Sequence, residues 1–173
     1  MGKTTVARAV VARLPNTILF DPEIIGIGLQ RLATLARPSS PVQDFQDLVA
    51  WRRLTVAGLR LARWRSPNVI VPMAISNPAY LEQLRQGVSR FDERVLHYCL
   101  VAPVNVVHSR LKYRGADPTR DSWQFRRASE CCQAHRSGTF AVQVDTSRRT
   151  PESIASILID VVKASSSALP NTR

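Results

Sequence analysis

The residues best suited to chemistry open the chain, in Gly2-Lys3-Thr4-Thr5. Followed by the apolar helical run Val6 to Leu14, they read as the back half of a phosphate-binding P-loop, G-x-x-x-x-G-K-[ST], entering its helix. Each residue type has a task there. Gly2 lets the backbone approach a phosphate, the Lys3 ammonium pairs with β- and γ-phosphate oxygens, the Thr4 hydroxyl is a Mg²⁺ ligand, and the helix N-terminus continuing through Thr5 turns N–H groups toward an anion. The front half of the motif, a buried strand and a first glycine, does not precede these residues.

Two further groups of residues have the right chemistry. Asp21 follows the apolar run Thr17-Ile18-Leu19-Phe20, so it stands at the carboxyl end of a strand, where open α/β sheets bind ligands. It also caps a helix, with Pro22 in the first position and Glu23 as a first-turn acid. Between His108 and Arg136, Arg110, Lys112, Arg114, Arg120, Arg126, Arg127 and Arg136 stand against Asp117, Asp121 and Glu130. In a phosphoryl-transfer enzyme such a stretch is a lid whose arginines meet the charge of the transferred group, and Arg110, Arg114 and Arg127 lead; otherwise it is a solvated helical hairpin. Trp51, Arg52, Trp64 and Trp123 are candidates for stacking on a base or ring, and equally for core positions. Cys131 and His135 lie four apart without a second ligand pair to complete a metal site. Gly26 and Gly28 lie inside a helical pattern and form no phosphate loop.

The elements that must position these residues alternate. Strands are predicted at Thr17–Phe20, Val69–Ile75, Val95–Ala102 and Phe140–Val144, with Pro72 ending the ladder of the second. Helices are predicted at Val6–Leu14, from Pro22 through Leu32, from Asp44 to about Arg65 with a basic face of Arg52, Arg53, Arg60 and Arg63, and at Ala79–Val88. Three more run from Pro103 toward Arg114, from Ser122 to His135 and from Pro151 through Val161. Breaks fall at Pro38-Ser39-Ser40-Pro41 and Gly115-Ala116-Asp117-Pro118, and the tail from Ala164 is Ser-rich and frayed. Alternation of this kind means βαβ units and a parallel sheet.

Composition sets the outer limits. At 173 residues, 45% of them apolar and 21% charged, the chain is one soluble globular domain. It has no apolar run of about 18 residues to span a bilayer and opens on no signal sequence, so a cytoplasmic location is expected. Cys99, Cys131 and Cys132 make no disulfide framework, which agrees with that compartment. The net charge of +11 rests almost wholly on arginine and implies anionic partners. A basic nucleic-acid module has only this charge behind it, so no nucleic acid is expected; peripheral contact with a membrane surface stays open.

Gly2-Lys3-Thr4-Thr5, Asp21-Pro22-Glu23, Val71-Pro72-Met73 and Val144-Asp145-Thr146 resemble the P-loop nucleoside and small-molecule kinases. Phe20-Asp21-Pro22-Glu23, Asp44-Phe45-Gln46 with Trp51-Arg52, Ile70-Val71-Pro72-Met73 with Pro78-Ala79-Tyr80, and Ser122-Trp123 ahead of Cys131 are similar, more narrowly, to the bacterial tunicamycin-resistance ATP-binding proteins. The similarity runs in order from Met1 to about Lys163. It implies a single P-loop kinase-like domain over residues 1–163, a five-stranded parallel sheet with the P-loop strand between the Val69 and Val95 strands, a helical lid at 112–136 and a flexible tail at 164–173.

The resemblance also implies ATP and Mg²⁺, a small-molecule substrate and phosphorylation of a nucleoside antibiotic such as tunicamycin. In such kinases an Asp at the place of Asp21 is the base, Glu23 being an alternative or a partner of the Mg²⁺ shell. Asp145 and Thr146 would approach adenine, while Asp21, Glu23, Trp51, Arg52 and Met73 would meet the acceptor. No acid ends the Val69 strand, so metal ligation rests on Thr4 and waters, and sequestration of the drug without chemistry is the alternative. Loss of a central sheet strand would leave unpaired backbone groups at about 1–3 kcal/mol each, so the natural protein is expected to start about ten residues earlier, with an apolar strand and a first glycine encoded upstream.

Overall fold

The computed structural model describes residues 2–36, 44–137 and 141–167. Its helices are α1 (Lys3–Val11), α2 (Glu23–Ala36), α3 (Val49–Arg65), α4 (Pro78–Ser89), α5 (Val104–Tyr113), α6 (Ser122–Ala134) and α7 (Pro151–Ser167). Its strands are β1 (Thr17–Leu19), β2 (Asn68–Ile70), β3 (Tyr98–Val101) and β4 (Val142–Asp145), and short 3₁₀ turns lie at Phe45–Asp47 and His135–Ser137. The chain divides into two compact units, one formed by Met1–Leu14 with Leu96–Arg173, the other by Pro15–Val95.

In the first unit β3 and β4 pair in parallel, from Tyr98 beside Val142 to Val101 beside Asp145. Helix α1 packs on α7, and Val6, Ala7, Val10 and Leu14 are buried, as are Ile154, Ala155 and Ile159. Burial of such side chains contributes about 1.5–3 kcal/mol for each large one. Arg13 fastens the same contact, donating to the Glu152 carbonyl at 3.1 Å and the Ser156 hydroxyl at 3.0 Å. Helix α6 packs on α5 through the His108 ring, edge-on to Phe125 at 5.1 Å between centroids.

In the second unit β1 and β2 pair in parallel, Thr17 with Asn68 through Leu19 with Ile70. Helix α3 packs on α2 and on α4. Two glycines permit the close approaches: a Cβ on Gly58 would lie 2.7 Å from the Phe20 ring, and one on Gly87 would lie 2.6 Å from Val56. Asn77 starts α4 by accepting the Ala79 N–H at 2.9 Å, with Pro78 following.

The four predicted strands are present, with corrections. The described strands form two two-stranded parallel ladders, not one five-stranded sheet. β2 ends at Ile70, short of the predicted Ile75, because Pro72 has no N–H for a ladder and residues 71–77 run outside one. β3 begins at Tyr98 rather than Val95; Val95 and Leu96 are about half exposed, and a turn bond from the Val95 N–H to the Glu93 carbonyl replaces pairing there. β4 is shifted to Val142–Asp145, and the predicted start at Phe140 lies outside the described residues, as do the Pro38–Pro41 break and the last residues of the tail. The helix predicted from Asp44 is a 3₁₀ turn followed, after Leu48, by α3. Arg52 is not on the basic outer face of α3 but 8% exposed within the unit.

Candidate functional site

The first unit holds the candidate phosphate-binding residues. Gly2 sits just before α1 with φ 79°, a left-handed conformation that glycine adopts without strain, and a Cβ there would meet nothing within 4 Å. Its carbonyl accepts the Val6 N–H at 2.9 Å, the first bond of the helix. No side-chain hydrogen bond caps α1 and no acid stands in its first turn, so the helix's own sequence sets no carboxylate against the positive end of its dipole. Lys3, Thr4 and Thr5 form that first turn. This arrangement fits an anion flanked by an ammonium and a hydroxyl.

The same unit holds the basic stretch. Arg110 lies on α5 and Arg114 at its end, before Gly115 turns the chain at φ 85°. The turn is fixed by acids: Asp117 accepts from the Thr119 hydroxyl and N–H, which hold its carboxyl below the usual range, and Asp121 accepts the Asp117 N–H at 2.8 Å. Arg127, on α6, lies 3.6 Å from Glu130. Arg110 behaves differently, bonding to Thr146 through both Nη1 at 3.0 Å and Nη2 at 2.5 Å. Asp145 ends β4 and accepts the Ser147 O–H at 2.6 Å and N–H at 2.8 Å, hydrogen bonds that keep its carboxyl below its ordinary value.

The second unit gathers the candidates for the acceptor. Asp21 follows β1, and its Oδ1 accepts the Glu23 N–H at 3.0 Å, while Oδ2 takes no hydrogen bond among the described residues. The fully buried Trp51 donates its indole N–H to the Pro22 carbonyl at 2.9 Å, which ties α3 to the peptide between Asp21 and Glu23. Trp51 is therefore a core residue and not a free stacking ring; Trp64 and Trp123 are exposed. Arg52 donates to the Gln46 carbonyl and to Gln83 Oε1 at 2.7 Å, and lies 4.2 Å from the centre of the Tyr80 ring. Gln46 in turn donates to the Ala74 carbonyl at 2.9 Å, next to Met73. Asp21, Glu23 and Trp51 thus meet around Pro22 in one set of hydrogen bonds, and Arg52, its neighbour on α3, is joined through Gln46 to Ala74 in a second.

Three further residues around Arg52 were assigned no role from sequence. Gln46 is buried, Tyr80 donates its hydroxyl to Asp47 at 3.0 Å, and Gln83 receives Arg52. The Tyr80 hydroxyl is pushed up by its bond to the Asp47 carboxylate. A polar residue inside an apolar helical pattern, as Gln46 is, was the available signal.

No protein-family model matches the sequence, and no curated protein matches it. Among solved structures the chain is similar to the Deinococcus radiodurans tunicamycin resistance protein, with a TM-score of 0.74, 26% sequence identity and coverage of 92% of this chain and 90% of that one. The resemblance carried by the sequence motifs and the likeness of the folds point the same way.

Proposed function

We propose that the chain is an ATP-dependent phosphotransferase acting on a hydroxyl of a small molecule, and that the acceptor is tunicamycin or a related uridine-containing antibiotic, inactivated by phosphorylation. The observation that carries the proposal is the start of α1, where a left-handed Gly2, Lys3 and Thr4 meet at an uncapped helix N-terminus. The acceptor class rests on the similarity to a tunicamycin resistance protein. The finer fold reading, a P-loop kinase-like parallel sheet with a helical lid, goes with it, as does a cytoplasmic setting. Among the described residues no helix is long and apolar enough to cross a membrane.

The residues divide the work. Lys3 neutralises phosphate oxygens, Arg114 and Arg127 add charge from the basic stretch, and the Thr4 hydroxyl serves Mg²⁺. Bound Mg²⁺ supplies charge neutralisation on the phosphates. Asp145 and Thr146 form the surface for the base. Asp21 takes the proton of the acceptor hydroxyl on Oδ2, its Oδ1 being held by the Glu23 N–H. The acceptor oxygen then bonds to the γ-phosphorus as the bond to the β–γ bridging oxygen breaks, releasing ADP. Met73 and the Arg52 network shape the acceptor side.

Mass spectrometry of nucleoside antibiotics incubated with the protein and Mg-ATP tests this, with a phosphorylated product expected. Asp21→Asn should lower turnover by about 10²-fold or more, the usual worth of a general base, and Lys3→Ala should abolish it. Undiminished turnover in Asp21→Asn removes the base assignment. A second reading, sequestration of the drug without chemistry, is favoured by Val71-Pro72-Met73-Ala74 after β2, which offers Mg²⁺ no carboxylate. Resistance without consumption of ATP would establish that reading.

A further inference from the structure

Arg110 is read from sequence as an arginine for phosphoryl charge, yet its guanidinium is engaged elsewhere. Nη1 donates to the Thr146 hydroxyl at 3.0 Å and Nη2 to the Thr146 carbonyl at 2.5 Å. Two N–H groups of one planar fork on one residue is a geometry that arginine offers and lysine does not. Thr146 is 2% exposed and passes the connection on. Its N–H donates to the Val101 carbonyl at 2.8 Å, and its hydroxyl, accepting from Arg110, donates to the same carbonyl at 3.1 Å. Arg110 on α5 is thereby tied through Thr146 to the last residue of β3, at the carboxyl ends of a parallel strand pair, which is where α/β sheets bind ligands.

The chain beyond Thr146 is held as firmly. Asp145 binds both the N–H and the O–H of Ser147, and the Thr150 hydroxyl accepts the Ser153 N–H at 3.2 Å as α7 begins. Arg13 then fixes the first turns of α7 to the P-loop helix unit. Residues 145–147 are a preset main-chain surface, and Arg110 is the cationic support of Thr146 within it.

We propose that Arg110 is a positioning residue for the nucleotide base: it sets the main chain after β4, on which adenine rests, and does not meet the transferred phosphoryl group. This rests on the nucleotide-binding reading above. It predicts a division that a phosphate-binding arginine would not show, because the base and the phosphates can be probed separately.

Calorimetric titration of the full chain with ATP, GTP and inorganic tripolyphosphate makes that division, with ligand-free thermal melts to confirm folding. Arg110→Ala should weaken ATP about tenfold, the worth of one to two net hydrogen bonds, and narrow its preference over GTP, with tripolyphosphate affinity held within about twofold. Arg110→Lys should not rescue, since it cannot bond both Thr146 oxygens in fork geometry. Thr146→Val, which removes one of the two contacts, should fall between and supports the same conclusion if Arg110→Ala fails to fold. An equal loss for all three ligands, or unchanged ATP and GTP affinities in every folded variant, overturns the assignment. A wild-type chain that binds none of the three overturns the nucleotide reading itself, a distinct result.

Discussion

Trp51 holds the peptide that follows Asp21, the proposed base. The indole N–H bond to the Pro22 carbonyl is 2.9 Å long and lies in a fully buried site, directly between the two acids of the turn. Trp51→Phe keeps most of the apolar contact and removes the donor. The orphaned carbonyl should cost about 1–3 kcal/mol in denaturant unfolding. In phosphotransfer assays the variant should lose turnover with little change in KM for ATP, because the residues proposed to bind ATP lie in the other unit; a rise in that KM with unchanged turnover would count against a positioning role. A second residue-scale outcome concerns acid. Burial pushes Asp92 up, but hydrogen bonds from the Arg63 side chain and the Arg94 N–H outweigh it and hold the carboxyl below its usual value. A folded value below the unfolded one stabilises the protein above about pH 4, and that contribution is lost as pH falls through the lowered value. Asp92→Asn should therefore lower stability at neutral pH and flatten its decline in acid, as urea titrations at several pH values would show. Lys3, Thr4 and Asp21 were open to nomination as candidates because their type and place in a motif are enough. Gln46, Tyr80 and Gln83 were not, because a residue whose part is a hydrogen bond takes its meaning from partners distant in sequence.

At the scale of elements, periodicity and Pro or Gly punctuation located every described helix and strand, and the ends moved where backbone pairing overruled side-chain pattern. Val69 to Ile75 is apolar enough for a strand of seven residues, but only Asn68–Ile70 finds a ladder. Helix α2 shows the same limit within one turn. Gly26 and Gly28 look alike in sequence, both set in an apolar helix. A Cβ on Gly26 would lie 2.4 Å from the Phe45 ring, whereas one on Gly28 would meet nothing within 4 Å. Gly26→Ala must move Phe45, which also packs at 5.3 Å on Trp51, and should destabilise by about 1–3 kcal/mol. Gly28→Ala should stabilise by about 0.5–1 kcal/mol through backbone entropy alone. Thermal melts of the two variants should shift in opposite directions; a common sign would mean that α2 and the Phe45 turn do not pack this way.

The arrangement of the whole chain was the least legible level. The first 14 residues share a compact unit with residues from Leu96 onward. No local pattern encodes that α1 will pack on α7, since each is merely a helix with one apolar face until the other is present. The net charge, by contrast, is plain in the sequence, and at +11 it acts on the molecule as a whole. Against it stand large apolar side chains left in solvent: Ile24, Leu32 and Leu35 of α2 are 72%, 64% and 78% exposed, and Trp64 of α3 is 78% exposed. Like charge keeps copies apart at low ionic strength, where the Debye length is about 30 Å at 0.01 M, and that repulsion fades when it shrinks to about 3 Å at 1 M. Apolar attraction does not weaken with salt. Light scattering should therefore report a rising mean mass between those two salt concentrations. Leu32→Gln with Leu35→Gln should blunt the rise without changing the charge. Association that falls as salt is added would show instead that oppositely charged surfaces hold the copies together, and that the exposed faces of α2 and α3 take no part.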